Sequence, residues 1–267
     1  MATLYPDNII KRHLFGEAAS YPIRKISLSD LTEALRLGWE DFQAMPSHAI
    51  VVCVIYPVLG LVLFRMVLGY SVLPLLFPLA AGFALIGPFA AIGLYELSRR
   101  RELGLDISWE HAFNVIRRPS LSFVALSVVL GVIYFAWLGA AFLIYRQIYG
   151  DAVPASISEF AWQVLTTPAG WTLIIVGCGV GFLFALVVLA ISTVSFPMIL
   201  DRHVGVARAI QTSVHAFMAN PATMLLWGLI VASLLVLGAI PVFAGLAVVM
   251  PVLGHATWHL YRKVVRH

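Results

Sequence analysis

Charged side chains are scarce in this sequence. Only 11% of its 267 residues are Asp, Glu, Lys or Arg, whereas 61% are hydrophobic. Soluble domains average about 25% charged and about 45–50% apolar residues, so this composition excludes an ordinary water-soluble domain. Most of the chain is expected to face lipid or to pack inside a membrane.

The sequence also has few cysteines and lacks the motifs of the common catalytic classes. Cys53 and Cys178 both lie in apolar runs without CxxC spacing, so neither a disulfide framework nor a cysteine metal site is expected. No GxSxG elbow, Walker loop or carboxylate pair deep in an apolar run is present. The first 46 residues lack the apolar core of a cleavable signal peptide. We therefore predict an uncleaved, non-enzymatic protein.

The few basic residues are unevenly distributed, and their distribution predicts the topology. Of the 17 Lys and Arg residues, all but Arg65 and Arg146 lie in segments on one side of the apolar runs. Cytoplasmic segments carry such an excess of Lys and Arg. The topology accounts for the net charge of +4, so no nucleic acid partner is expected. We predict six membrane spans with both termini in the cytoplasm.

The predicted fold is an all-α polytopic membrane protein in which six transmembrane helices form three hairpins. Residues 1–46 form a cytoplasmic segment and residues 47–267 the membrane domain. A span needs about 20 mainly apolar residues. The spans are predicted at about 48–68, 72–96, 120–145, 171–200, 221–237 and 241–260.

A short amphipathic helix is predicted before each hairpin, because apolar residues recur there at spacings of three and four. Their apolar faces are Leu31, Ala34, Leu35, Gly38 and Phe42; then Trp109, Ala112, Phe113 and Ile116; then Ala207, Ile210, Val214 and Phe217. A proline follows each helix: Pro46, Pro119 and Pro221. We interpret the three segments as related units with surface helices on the cytoplasmic face; coincidence in an apolar chain is the alternative.

Ionisable residues at the predicted membrane boundary are candidates for structural or interface roles. Glu96 and Arg99 are three residues apart on one helical face, so they are expected to pair. Asp201 and Arg202 mark a second exit from the membrane, and Arg262 marks the last one. A contact between Glu96 and Arg262 across the bundle is also expected.

His255 and His259 are the candidate cofactor ligands. They are four residues apart and therefore project from one helical face, which allows two imidazoles to approach a metal ion or a haem. The alternative is that each histidine hydrogen-bonds a backbone carbonyl or Thr257, because no third ligand is evident. No other cofactor or metal is predicted.

Several longer motifs resemble those of one protein family. They are Gly82-Phe83, Gly87–Ala90, Gly93–Arg100 with Glu102 and Gly104, Phe196–Met198 with Asp201-Arg202, Ala219–Pro221 with Leu226-Trp227, and Pro251–Arg262. These motifs are similar to those of the predicted integral membrane proteins grouped as domain of unknown function 2189. The resemblance covers nearly all of the chain beyond about residue 25. It implies a bacterial inner-membrane protein without an established activity.

Some members of that family carry the label cytochrome c oxidase subunit I. A haem–copper subunit needs more spans and more ligating histidines than this chain offers, since only His255 and His259 fall within the predicted membrane, with His48 at a margin. Three hypotheses follow. The first is an accessory, assembly or regulatory partner of a respiratory or photosynthetic membrane complex. The second is a small-solute transporter or channel, and the third is a haem- or metal-binding protein.

Overall fold

A computed structural model describes residues 21–45, residues 91–241 except 152, 153 and 155, and residues 243–266. Within these ranges the chain is helical and no strand forms; an isolated antiparallel bridge pairs Ile23 with Val265. The helices are α1 (Leu28–Ala44), α2 (91–102), α3 (Trp109–Arg117), α4 (Leu121–Tyr149), α5 (Ile157–Thr166), α6 (Pro168–Ser192), α7 (Ser195–Arg202), α8 (Val206–Ala219), α9 (Pro221–Ala239) and α10 (Leu246–Val264).

Three stretches of the described residues are long and apolar enough to cross a membrane: Leu121–Tyr149, Pro168–Arg202 and Pro221–Ala239. They coincide with the third, fourth and fifth spans predicted from the sequence. The break predicted after the fifth span is also present, because α9 ends at Ala239 and α10 begins at Leu246.

The other predicted spans are not confirmed. The span 48–68, and the span 72–96 up to residue 90, lie outside the described residues, as do Pro46, His48, Cys53 and Arg65. The sixth predicted span, 241–260, corresponds to α10, which is not among the three candidate stretches. Polar residues in its second half lower its hydropathy, and one side of it is buried against other helices. The six-span topology and the boundary at residue 46 stay predictions.

The described residues fall into two compact units. The first holds α1 to α3, the start of α4 and the chain from Leu189 onward. In its core α1 packs against α10, and a Cβ atom on Gly38 would lie 2.6 Å from the backbone nitrogen of Ala256. Real Cβ contacts of that length essentially never occur, so the two helices meet at this glycine.

The predicted apolar face of α1 is the face that packs in this core. Leu31, Ala34, Gly38 and Phe42 are buried. The sequence predicts that this face lies on the membrane surface. That position is not confirmed, because α10 packs on the face instead.

Helix α8 also forms where it was predicted, but its buried face differs from the predicted stripe. Ala207, Ile210, Val214 and Phe217 are only half-buried. The buried side chains are instead Val206, Ala209, Thr212, Ser213 and Ala216. Small side chains allow close packing, and Ser213 Oγ donates a hydrogen bond to the Ala190 carbonyl at 2.7 Å. A pattern based on hydrophobicity alone does not detect such a face.

The second unit contains residues 129–188 of the described part. Ser156 caps α5, since its side chain accepts a hydrogen bond from the Glu159 backbone nitrogen at 3.1 Å. Gly170 allows the tight turn from α5 into α6, because a Cβ atom there would overlap the Val164 carbonyl oxygen. Further along α6, Gly181 faces the ring of Trp137. Gly170 is thus required by the turn, whereas Gly181 makes an ordinary van der Waals contact.

Candidate functional site

Five polar residues from three helices meet inside the first unit, and we call them the Asp41 cluster: Asp41, Ser98, Arg101, His255 and His259. Asp41 belongs to α1, Ser98 and Arg101 to α2, and the histidines to α10. Local sequence spacing cannot bring these residues together, because α1 and α10 are separated by most of the chain.

Two close helix contacts bring the Asp41 cluster together. Asp41 follows Gly38 by three residues, so it lies on the side of α1 that packs against Ala256. Gly254 makes the second contact, because a Cβ atom there would overlap the side chain of Leu94. Since Ser98 lies one turn beyond Leu94, it comes next to α10 as well.

The Asp41 carboxylate is the centre of the cluster. Its Oδ2 atom accepts hydrogen bonds from Ser98 Oγ at 2.6 Å and from His259 Nε2 at 2.8 Å. Its Oδ1 atom pairs with the guanidinium of Arg101. The Asp41 side chain is only 4% exposed, and a buried carboxylate is stable when it is paired and hydrogen-bonded in this way.

The same contacts determine the charge of Asp41. Burial alone would raise the pKa of this carboxyl. The hydrogen bonds from His259 and Ser98, together with the charges of the two imidazoles, lower the pKa by more than burial raises it. The resulting pKa lies below the ordinary value of an aspartic acid. Asp41 is therefore ionised at neutral pH, and its negative charge faces the positive charge of Arg101.

His255 extends the cluster into the core. Its Nδ1 atom lies 2.7 Å from Ser98 Oγ and 3.9 Å from Asp41 Oδ2, and the side chain is completely buried. The single hydroxyl hydrogen of Ser98 is directed at Asp41, because a carboxylate can only accept. Ser98 Oγ therefore accepts from His255 Nδ1, which places a hydrogen on that ring nitrogen. The result is a hydrogen-bonded chain from His255 through Ser98 to Asp41.

A second set of bonds surrounds Arg262 at the same end of α10. Glu102 accepts hydrogen bonds from Arg262 Nε at 2.9 Å and from Trp258 Nε1 at 3.1 Å. Asp201 accepts from Tyr261 Oη at 2.7 Å, and its carboxylate lies 3.7 Å from Arg262 Nη1. Arg262 thus connects α2, α7 and α10.

Tyr261 and Asp201 are coupled through their hydrogen bond. Burial is the largest cause that raises the pKa of Tyr261, and the hydrogen bond to Asp201 raises it further. The phenol is therefore the donor in this contact at every physiological pH. Asp201 also accepts from Arg202 Nε at 3.1 Å, so its carboxylate bonds to both Tyr261 and Arg202.

The structure shows which of the charged residues predicted from the sequence come together. Glu96 and Arg99 form the expected ion pair, with 2.8 Å between Glu96 Oε2 and Arg99 Nε. The expected contact between Glu96 and Arg262 is wrong: no ion pair joins them in the described part, where Arg262 pairs with Glu102 and Asp201. Glu102 is nearer because it lies almost two turns further along α2.

His255 and His259 share one face of α10, as their spacing predicts, and both contact the Asp41 cluster. Thr257 is not their partner, since its hydroxyl donates to the Leu253 carbonyl at 2.7 Å. Among the described residues, no group of three or more His, Cys, Asp and Glu side chains has the arrangement of a metal site. Ligation of a haem or metal ion by these two histidines stays a prediction.

Sequence reasoning missed the centre of the cluster. Asp41 lies beside Phe42 and one turn after Gly38, on the edge of the apolar stripe of α1. An acidic residue at such a position is a signal for a buried polar contact. The sequence gives no comparable signal for Ser98 or for the pairing of Trp258 with Glu102.

The apolar stretches and the internally bonded charges define an all-helical integral membrane protein over the described residues. Residues 76–201 match the family model described as predicted integral membrane protein (DUF2189). This match confirms the resemblance to that family, while the motifs at Ala219–Pro221, Leu226-Trp227 and Pro251–Arg262 lie outside the matched residues. Neither the curated proteins nor the solved structures gave a match to the chain. Asp41, His255, His259 and Arg262 lie outside the matched residues.

Proposed function

We propose that this protein is a non-enzymatic accessory, assembly or regulatory partner of a respiratory or photosynthetic complex. It acts in the bacterial inner membrane, with both termini in the cytoplasm. The observation that carries the proposal is the low burial of Pro168–Arg202. Only 6% of the most apolar window of this stretch is buried within the chain, compared with 33% for Leu121–Tyr149. Lipid, another membrane protein or the part of this chain outside the described residues covers the remainder, and we propose that a membrane protein does so.

Glycines in α6 favour a protein partner over lipid alone. A Cβ atom on Gly177 or Gly179 would meet nothing within 4 Å in the described part of the chain. Each glycine in a helix costs about 1 kcal/mol relative to alanine. Close approach of a second helix compensates for this cost inside a membrane, because small residues allow backbones to pack tightly. A transmembrane helix of another protein fits this part of α6.

The Asp41 cluster supports a structural rather than a catalytic role. Its carboxylate, hydroxyl and imidazole groups bond to one another across α1, α2 and α10. Two cavities in the first unit are lined by other residues, around His215 and around Phe123. The cluster therefore holds α1 against α2 and α10.

Crosslinking from Cys178 tests the proposal directly. Cys178 is exposed and lies between Gly177 and Gly179. In a Cys53→Ser background, a thiol-linked photocrosslinker is attached at Cys178 and irradiated in native membranes. We expect one repeatedly captured protein of a membrane complex, identified by mass spectrometry.

Two controls separate a protein contact from lipid exposure. Gly177→Leu blocks close helix approach and should abolish the adduct without removing the crosslinker. The same reagent at Val132→Cys, an exposed position on α4, should give a different adduct pattern. Lipid adducts alone from Cys178, or adducts only with a second copy of this chain, would contradict the proposal.

A haem- or metal-binding function has less support from the geometry. His259 Nε2 and His255 Nδ1 are engaged by Asp41 and by Ser98, so a ligand at either of these two atoms would have to displace a hydrogen bond. His255 Nε2 has no hydrogen-bond partner among the described residues, but its side chain is completely buried, so a ligand could reach it only if the packing around α10 changed. Absorption spectra of the protein purified from haem-replete cells test this hypothesis, because a Soret band lost in His259→Ala would favour it over the accessory role.

A further inference from the structure

Helix α8 lies at the membrane surface because of what flanks it. The candidate span that ends at Arg202 is followed by α8 after three residues, and the span that begins at Pro221 follows α8 after Asn220 alone. Connections this short keep α8 at the side of the membrane where the first of these spans ends and the next one begins. Its exposed side chains therefore lie at the level of the lipid headgroups.

A cavity of about 360 Å³ runs along the exposed side of α8. Small-molecule sites have volumes of roughly 300–1,000 Å³, so this cavity can hold a headgroup-sized ligand. We call it the α8 cavity; the lining residues that matter for its chemistry are Tyr21, Arg208, Gln211, His215 and Met218.

The α8 cavity is rich in hydrogen-bond donors and has cationic character. Arg208, Gln211 and His215 follow one another at spacings of three and four, so they form a single stripe along the helix. Guanidinium, amide and imidazole groups all donate hydrogen bonds to phosphate oxygens. No acidic side chain is among the described residues that line the cavity. The chemistry of the lining therefore suits an anion.

The two ends of the α8 cavity differ in a way that fits a lipid. Tyr21 is positioned at one side by Arg202, whose guanidinium carbon lies 5.9 Å from the centre of the ring. This contact fixes the ring of Tyr21 beside the cavity, while the charge of Arg202 itself is paired with Asp201. Met218 is 68% exposed and lies three residues before the span Pro221–Ala239. An apolar side chain there can contact the start of an acyl chain.

We propose that the α8 cavity binds a phosphate-bearing anion, which an anionic phospholipid headgroup or a soluble phosphate compound can supply. Basic pockets beside membrane helices bind anionic headgroups through this chemistry. The inference is independent of the accessory role, since it concerns the side of α8 and not the glycines of α6.

Binding is tested on the delipidated full-length chain in a neutral detergent. Native mass spectrometry measures adducts with phosphatidylglycerol and, separately, with phosphatidylcholine. We expect about tenfold tighter binding of the anionic lipid, and about a tenfold loss of that preference in Arg208→Gln, because a charge-assisted contact is removed. Arg146→Gln removes the same charge from an exposed ion pair elsewhere and should leave the preference unchanged.

A second variant and a competitor complete the test. Gln211 is exposed, so Gln211→Glu should fold normally while its carboxylate repels the anion. Competition by millimolar inorganic phosphate identifies the phosphate itself as the recognised group. Binding of inorganic phosphate without lipid indicates a soluble ligand, and binding of lipid that phosphate does not displace indicates the whole headgroup; both support the site. Equal binding of the two lipids, or an unchanged preference in both Arg208→Gln and Gln211→Glu, would overturn it.

Discussion

Replacing Asp41 with asparagine removes the charge at the centre of the Asp41 cluster and keeps the size of the side chain. The variant leaves Arg101 without its carboxylate and weakens the hydrogen bonds from Ser98 and His259. Removing one partner of a buried ion pair costs about 3–5 kcal/mol. Arg101 is 39% exposed and can turn toward water, so the ion-pair contribution must be reduced. Hydrogen bonds to charged groups contribute about 1.5–3 kcal/mol each. We therefore expect Asp41→Asn to lower the free energy of unfolding by about 2–4 kcal/mol.

Unfolding of the purified protein in mixed micelles, titrated with a denaturing detergent, measures this loss. The matched control is Glu33→Gln on the same helix, which removes a carboxylate from an exposed pair with Arg36. Exposed substitutions of this kind usually change stability by less than about 0.5 kcal/mol. If Asp41→Asn fell within that same range, the cluster would not hold α1 in place and the reasoning from its geometry would be refuted.

Three further predictions follow from the same contacts. The pKa of Asp41 is lower in the folded state than in the unfolded state. The contribution of Asp41 to the free energy of unfolding is therefore complete above the pKa of the unfolded state, about 3.9, and is lost as the pH falls through the pKa of the folded state. Wild-type protein should thus lose stability more steeply than Asp41→Asn below about pH 4, in acid titrations followed by circular dichroism. Gly38→Leu should separate α1 from α10 by overlapping the Ala256 backbone, which limited proteolysis detects as faster cleavage in α1 than in wild type. Gly170→Ala should distort the turn after α5 by overlapping Val164, with a loss of about 1–3 kcal/mol that Gly179→Ala does not show.

The features that the sequence predicts well are those determined by local composition. Candidate spans are found within a few residues of the predicted third, fourth and fifth spans, because length and hydropathy alone determine them. The same holds for the apolar face of α1, whose period of three and four residues requires no knowledge of its partner. Glu96 and Arg99 pair as expected because they are neighbours on one helix.

The features that the sequence does not predict depend on which helices meet, and where. Arg262 pairs with Glu102 rather than Glu96, a shift of six residues along α2 that only the packing of α2 against α10 determines. The buried face of α8 consists of small residues instead of the most apolar ones. In both cases a close approach between helices, and not the hydrophobicity of either helix, decides the contact.

The Asp41 cluster raises the question of why an apolar chain has charges inside a helix interface. Buried ion pairs are often no more stable than apolar packing, but they can fix the register of a contact. An apolar stripe on α1 could slide by one turn along α10 and bury a similar area, whereas the hydrogen bonds of Asp41 to Ser98 and His259 form in one register only. Fixing the register of α1 on α10 is therefore the role that we assign to the cluster.

The register hypothesis makes a prediction that differs from a simple role in stability. In the triple variant Asp41→Leu, His255→Leu and His259→Leu, the buried carboxylate and both imidazoles are gone, and Arg101 can turn to water. The Ser98 hydroxyl can then donate to a backbone carbonyl one turn earlier in its own helix. The variant should remain helical, since removing both sides of a polar contact can be nearly neutral. Paired cysteines placed along α1 and α10 should then form disulfides in several registers, about 5.4 Å apart, where the wild-type background gives one. A single disulfide pattern in a folded triple variant would show that packing at Gly38 alone fixes the register.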